Sequence, residues 1–149
     1  MSISFKEAVH DDIAIILEMM AAFNAIDNYP FDRNLTLKNL QLFISTPGLG
    51  KLWTIYSTNV LAGYIVLAFG FSFEYKGRDA FIDEIYLKDE FRNKGIGRMA
   101  MSFVEQQARS LGVKTLHLEV ERHNAMASKI YIDQGFTNNG RMLLTKKLL

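Results

Sequence analysis

The stretch FIDEIYLKDEFRNKGIGRMAMSFVEQQA, residues 81–108, constrains this chain more than any other. A strand-like run, Ala80 to Leu87, leads into two glycines one residue apart, and these open an amphipathic helix over Arg98 to Leu111 that Gly112 ends. Gly95 and Gly97 lack a β-carbon, so backbone N–H groups there can approach an anion closely. The start of the following helix adds unpaired donors and a partial positive charge. Arg92, Lys94 and Arg98 strengthen that field. The plainer alternative is that Gly95 and Gly97 only make a tight turn. Thr115 to Val120, alternating and apolar, supplies the next strand, so the unit is a βαβ crossover and requires parallel neighbours. A nucleotide P-loop needs GxxxxGK followed by Ser or Thr, and a dinucleotide fingerprint needs GxGxxG after an early strand; neither spacing occurs here.

The rest of the chain fits around that crossover. Ile3 to Glu7 reads as a strand, followed by a helix that Asp11 or Asp12 can cap and whose apolar positions are Ile13, Ile16, Leu17, Met20 and Ala21. Asn24 to Asn34 breaks the pattern and is a candidate lid. Thr36 can cap a second helix carrying Leu37, Leu40, Phe43 and Ile44, which Pro47, Gly48 and Gly50 end. Leu52 to Tyr56 and Val60 to Phe69 form an antiparallel pair around Ser57, Thr58 and Asn59. Asn124 to Gln134 reads as a last helix, with Gly135 as its left-handed cap, and Arg141 to Lys147 as a closing strand. The expected fold is α/β of mixed α+β character: a mixed central sheet flanked by helices on both faces.

Composition narrows the function classes. A chain of 149 residues with 49% hydrophobic residues suits a single domain, 1–149. Seventeen Lys and Arg against sixteen Asp and Glu leave a net charge of +1, which argues against nucleic acid as the main partner. With no cysteine there is no disulfide framework and no thiolate chemistry, and a reducing compartment, the cytoplasm, is the expected setting. The N-terminus MSISFKEAVHDD does not read as a secretory signal, and no run approaches the roughly 18 apolar residues of a membrane span. His10, His117 and His123 form no metal-ligand constellation and read as surface or packing residues, so no metal is expected.

Within that frame, RNKGIG resembles the coenzyme A-binding signature of the GNAT N-acetyltransferases: Arg or Gln, two residues, Gly, one residue, then Gly or Ala. The resemblance implies the GNAT fold with a βαβ acetyl-coenzyme A-binding core, in which Arg92, Asn93, Lys94, Gly95, Ile96, Gly97 and Arg98 hold the pyrophosphate. It also implies that Ile85, Tyr86 and Leu87 pair with the pantetheine arm like an added strand. A bulge in that strand would aim a backbone N–H, that of Ile85, at the thioester carbonyl oxygen.

ERHNAMASKIYIDQGF is similar to the family's later motif, matched in order by Asn124, Ala127, Tyr131, Gly135 and Phe136. Ala127 and Tyr131 lie one helical turn apart on one face, so a small residue leaves room beside a phenol. The resemblance implies that Tyr131 protonates the departing thiolate, a task suited to a positioned phenol. Packing of the ring on the sheet is the structural alternative. Asn124 can cap the helix, contact the coenzyme, or do both.

An amine acceptor must lose a proton before it can attack a thioester. Asp83 and Glu84 lie on the strand entering the glycine loop, and alternation puts one on each side unless a bulge re-aims them. Either can take the proton directly or through water, or both can be solvated strand residues; Glu119 is a weaker candidate. GYIVLAFGFSFEYKGRDAFIDEIYL resembles the diamine and polyamine acetyltransferase branch, although its acidic pair runs Asp then Glu and its turn has no tryptophan. Phe69, Phe71, Phe73 and Tyr75 alternate and can line an acceptor groove, form core or form a dimer surface. The expected activity is acetyl transfer from acetyl-coenzyme A to a small primary amine. The alternatives are acetylation of a protein lysine or N-terminus, and a non-catalytic acyl-coenzyme A sensor. A homodimer is compatible with the resemblance.

Overall fold

Strand Ile3–Glu7 (β1) pairs antiparallel with Gly50–Ser57 (β2), β2 with Val60–Ser72 (β3), and β3 with Gly77–Leu87 (β4). The β2–β3 turn is made by Thr58 and Asn59, with φ of 47° and 65°, the left-handed pair that a two-residue hairpin requires. Strand Thr115–His117 (β5) closes the order β1-β2-β3-β4-β5 and is parallel to β4, as the crossover demands. A computed structural model supplies these coordinates and describes residues 1–149. The chain divides into two compact units, Met1–Glu119 and Val120–Leu149.

In the first unit, alternation along the strands splits the core into two layers. Tyr64 and Val66 of β3 and Tyr86 of β4 pack with Ile13, Ile16, Leu17 and Met19 of helix Ile13–Ile26 (α1) and with Leu40 of helix Arg33–Ser45 (α2). On the other face, helix Ile96–Ser110 (α3) buries Ile96, Ala100, Met101, Val104 and Ala108, spaced to face inward together. Its Phe103 stacks on Phe5 at 4.1 Å and meets Trp53 edge-on at 5.3 Å. Each large side chain buried here stabilises the fold by about 1.5–3 kcal/mol, enough for the layers to fix the sheet register. No helix is long and apolar enough to cross a membrane.

Several expectations need correction. The cap of α2 is Asp32, whose side chain accepts from the Leu35 N–H at 3.0 Å; Thr36 lies inside the helix, its hydroxyl turned to the Asp32 carbonyl. The helix therefore starts earlier than Thr36 would allow, and the break shrinks to residues 27–32. Asp12 sits at the N-cap of α1 but accepts from the Val9 N–H at 2.9 Å, so it fixes the incoming chain rather than the first turn. Phe69 and Phe71 belong to β3, whereas Phe73 and Tyr75 fall in the β3–β4 turn, so the four do not line one strand.

The expected strand Thr115–Val120 stops at His117. Its pairing covers only Asp79–Phe81, because β4 carries a bulge just beyond and bulges bend the strand they interrupt. In the second unit, helix Ala125–Asp133 (α4) is the one regular element, and Arg141–Lys147 is not a strand. A strand needs a partner for its N–H and C=O groups, and this unit contains none. At its start the Asn138 and Asn139 side chains capture the N–H groups of Gly140 and Arg141, at 2.9 and 3.0 Å.

Candidate active site

The β4 bulge organises one half of the site. Leu67 faces Ile82 across the ladder and Val66 faces Glu84, so Asp83 is the extra residue. Without it, Glu84 would share the face of Ile82, toward α3. With it, Glu84 turns to the face of Tyr64, Val66 and Tyr86. There the Tyr64 hydroxyl donates to Glu84 Oε1 at 2.7 Å, and the Tyr64, Tyr86 and Phe23 rings lie 5.8–6.5 Å apart. Burial raises the Glu84 carboxyl above the ordinary carboxylate range. The Tyr64 hydrogen bond works against that rise, and the neighbouring Asp83 charge adds to it. Burial, reinforced by the Glu84 charge, pushes the Tyr64 phenol far up, so it stays protonated and remains a donor. Asp83 itself is exposed. Burial raises the Asp83 carboxyl as well, so the two carboxylates differ in partner: Glu84 is held in the aromatic recess by the Tyr64 hydroxyl, whereas Asp83 stands at the bulge with part of its surface in solvent.

Beyond Phe81, the edge of β4 away from β3 has no pairing to β5. Ile85, Tyr86 and Leu87 lie in this stretch, paired to Ile65, Tyr64 and Gly63 on the β3 side. The strand then reaches the loop. Asn93 and Gly95 adopt left-handed φ of 61° and 81°, and Gly95 caps α3 without any side-chain cap. A β-carbon on Gly95 or Gly97 would meet nothing within 4 Å. Gly95 is thus required by its backbone conformation, while Gly97 leaves the ground before the helix open. The first intrahelical acceptor is taken by the Met99 N–H, on the Gly95 carbonyl, so the N–H groups of Ile96 and Gly97, in the first turn, have no acceptor inside the helix.

Arg92 is more than a nearby cation. Its Nε donates to the Leu87 carbonyl at 2.9 Å, Nη1 pairs with Asp89 at 2.7 Å, and the guanidinium lies 5.7 Å from the Tyr86 ring. It buckles the loop to the end of β4, and part of its charge is spent on Asp89. Lys94 lies over the Phe91 ring at 5.9 Å, and Arg98 is exposed beside the helix start. Glu119 falls past the end of β5 and is exposed.

In the second unit, the Asn124 side chain accepts from the Ala127 N–H at 3.1 Å, so its amide oxygen caps α4. At the other end, Gly135 has φ of 96°, and the Phe136 N–H returns to the Tyr131 carbonyl at 3.0 Å, a left-handed cap. The Tyr131 and Phe136 rings meet at 6.2 Å in a T-shaped contact. Burial raises the Tyr131 phenol above its ordinary value, so it is protonated at neutral pH.

Residues 16–136 match the Acetyltransferase (GNAT) family. The chain belongs to the GNAT acetyltransferase family. It is 36% identical over 75 residues to the uncharacterized N-acetyltransferase YycN of Bacillus subtilis, covering 50% of this chain and 47% of that protein. It is 34% identical over 71 residues to the thialysine N-epsilon-acetyltransferase of Bos taurus, 48% of this chain and 41% of that one. The chain thus spans less than half the length of either curated relative. Across the whole fold it superposes on an integron cassette protein from the mobile metagenome of Cole Harbour Salt Marsh, with a TM-score of 0.87 and 30% identity. That match covers 97% of this chain and 90% of the other.

One site residue escapes sequence reasoning. Tyr64 sits in the apolar run LAGYIVLAF, where it reads as core. Its one signal is a hydroxyl in an otherwise hydrocarbon stretch, which must find a partner once buried.

Proposed function

We propose that this GNAT chain, as one domain, transfers an acetyl group from acetyl-coenzyme A to the primary amine of a small molecule by direct attack. The observation that carries this reading is the pairing of an open β4 edge, Ile85 to Leu87, with a helix start behind Gly95 whose first-turn N–H groups, those of Ile96 and Gly97, have no acceptor inside the helix. A pyrophosphate fits the unpaired donors and the clear space at Gly95 and Gly97; an amide-bearing arm fits the open strand edge. Arg92, Asn93, Lys94, Ile96 and Arg98 would complete the cradle, and Asn124 and Ala127 would add contacts. Acetyl-coenzyme A supplies the activated acetyl thioester.

The chain's own groups do the proton work. Glu84, raised by burial, takes the proton of the incoming ammonium directly or through water, since a carboxylate above its usual range is a better base near neutral pH. Asp83 attracts the cation from solvent. The Ile85 N–H faces the carbonyl oxygen where negative charge develops. Tyr131, protonated at neutral pH, gives its proton to the leaving sulfur.

A free amine is favoured over a protein substrate by the recess around Glu84, walled by Tyr64, Tyr86 and Phe23. The bovine relative named for acetylating thialysine at its epsilon nitrogen supports the same class. The test is thiol release from acetyl-coenzyme A with a panel of small amines and lysine peptides. Turnover with small amines is expected. Coenzyme binding without turnover on any acceptor would instead mark a sensor, and turnover on peptides alone would refute the small-amine assignment.

A further inference from the structure

The sheet face that carries Glu84 continues past the core. Its rows across β2, β3 and β4 are Thr54, Tyr64 and Tyr86, then Leu52, Val66 and Glu84, then Gly50, Ala68 and Phe81, with His117 of β5 beside Phe81. Successive rows of this set lie two residues apart on β3, so all share one face. Helices α1 and α2 cover the first two rows: Leu52, Tyr64, Val66 and Tyr86 belong to the core they bury. The third row lies outside that cover. Phe81 is 40% exposed there, against 8% for Tyr86 and 5% for Val66.

That third row forms a slot. Gly50 and Ala68 carry the smallest side chains available, so the floor sinks between two rings. On one side Phe43 of α2 stands on Gly50, where a β-carbon would fall 2.7 Å from the ring tip. On the other side rises Phe81, whose ring is backed by the His117 ring at 5.0 Å. Gly50 and Phe81 are two strand spacings apart, or about 10 Å, which leaves room over Ala68 for one hydrocarbon chain. Gly50, Ala68, Phe43 and Phe81 present only hydrocarbon, so a charge or a hydroxyl resting among them would find no side-chain partner. The carboxylates of the strip lie outside the slot: Glu84 is one row inward, and Asp79 is one row outward and 3.1 Å from His117 Nε2.

We propose that Phe43, Ala68 and Phe81 form an acceptor subsite that selects a primary amine by its hydrocarbon tail. The proposal deepens the small-amine reading and rests on it for the role of Glu84. It also sets a length. Val66 and Ala68, the β3 partners of Glu84 and Phe81, are two residues apart, or about 7 Å at about 3.3 Å per residue. An extended chain of roughly six bonds spans that distance, so an amine held at Glu84 lays the far half of such a chain in the slot. The preferred acceptor has one charge and an apolar tail; a polar group at the end of the tail loses water there without gaining a partner.

The experiment compares three amines of equal length: hexylamine, aminoethoxyethanol and α,ω-diaminopentane. Thiol release from acetyl-coenzyme A is measured with each, and amine binding is followed by calorimetry in parallel. Wild type should favour hexylamine over either of the others by at least about tenfold in kcat/KM, the worth of roughly two buried methylenes, and the difference should lie in KM. Phe81→Ala removes one wall and should bring the three amines close to parity. Phe81→Leu, which keeps a hydrocarbon wall, should retain most of the preference. Ala68→Leu fills the floor, should also abolish the preference, and serves if Phe81→Ala folds poorly. Equal use of the three amines by wild type, a preference for the diamine or the ether alcohol, or a hexylamine preference that survives both Phe81→Ala and Ala68→Leu overturns the proposal. If Phe81-dependent hexylamine binding holds while no amine is acetylated, the slot stands and the proposed function falls.

Discussion

Replacing Tyr64 with Phe isolates the proton chemistry assigned to Glu84. The ring stays, so its contacts with Tyr86 and Phe23 and its place in the core survive; only the hydroxyl that donates to Glu84 at 2.7 Å is lost. That bond favours the charged carboxylate, and burial, which opposes the charge, is unchanged. A hydrogen bond to a charged group contributes about 1.5–3 kcal/mol. At about 1.4 kcal/mol per pH unit, losing it moves the acid limb of the kcat/KM profile up by roughly one to two pH units. The direction is fixed: removing a partner of the ionised form makes the proton harder to lose. The assay is thiol release across pH with one amine at low concentration, with Glu84→Gln as control. Tyr64→Phe should be slow at neutral pH and recover at higher pH, whereas Glu84→Gln should stay slow throughout. An acid limb that stays in place in Tyr64→Phe, or moves down, would refute Glu84 as the base.

Three further outcomes follow from the same geometry. Glu84→Gln should raise the melting temperature at neutral pH: the folded-state value of Glu84 is raised, so its ionised form weakens the fold above that value, and the gain should vanish as pH falls below the unfolded value; an equal or growing gain in acid would contradict this. Gly95→Ala must place a side chain at φ of 81° and should cost about 1–2 kcal/mol in a denaturant melt; an unchanged midpoint would show that the loop relaxes freely. Tyr131→Phe should keep acetyl-coenzyme A affinity while lowering kcat by about a hundredfold or more, the scale of a lost general acid, and undiminished turnover would remove that role.

Local signals in the sequence were enough where the determinant was local. Ile3–Glu7 is a strand at the expected bounds, the Thr58–Asn59 turn joins β2 to β3, and the strand, glycine loop and helix follow in the expected order. Gly95 and Gly135 take the left-handed conformations that their positions beside helices demand. Long-range register was not legible. The bulge at Asp83 decides which carboxylate enters the aromatic recess, and it depends on how β4 counts against β3. Tyr64 and Glu84 are twenty residues apart, as an antiparallel pairing makes them neighbours that no spacing rule would join. Asp79 and His117 meet across 38 residues, so a histidine read as surface or packing proves to be hydrogen-bonded to a carboxylate. The Thr36 cap failed because an earlier Asp with the same capping chemistry competes for the helix start. Arg141–Lys147 has strand-like composition but lacks a strand partner within its unit.

The central claim is that the loop and the first turn of α3 receive a pyrophosphate while β4 receives the arm attached to it. The direct measurement is an NMR titration of the folded protein with acetyl-coenzyme A, following backbone amides. Saturable shifts concentrated at Ile96, Gly97 and Arg98 and at Ile85 to Leu87 are predicted. Saturation with shifts elsewhere, or no saturation at all, would contradict the account.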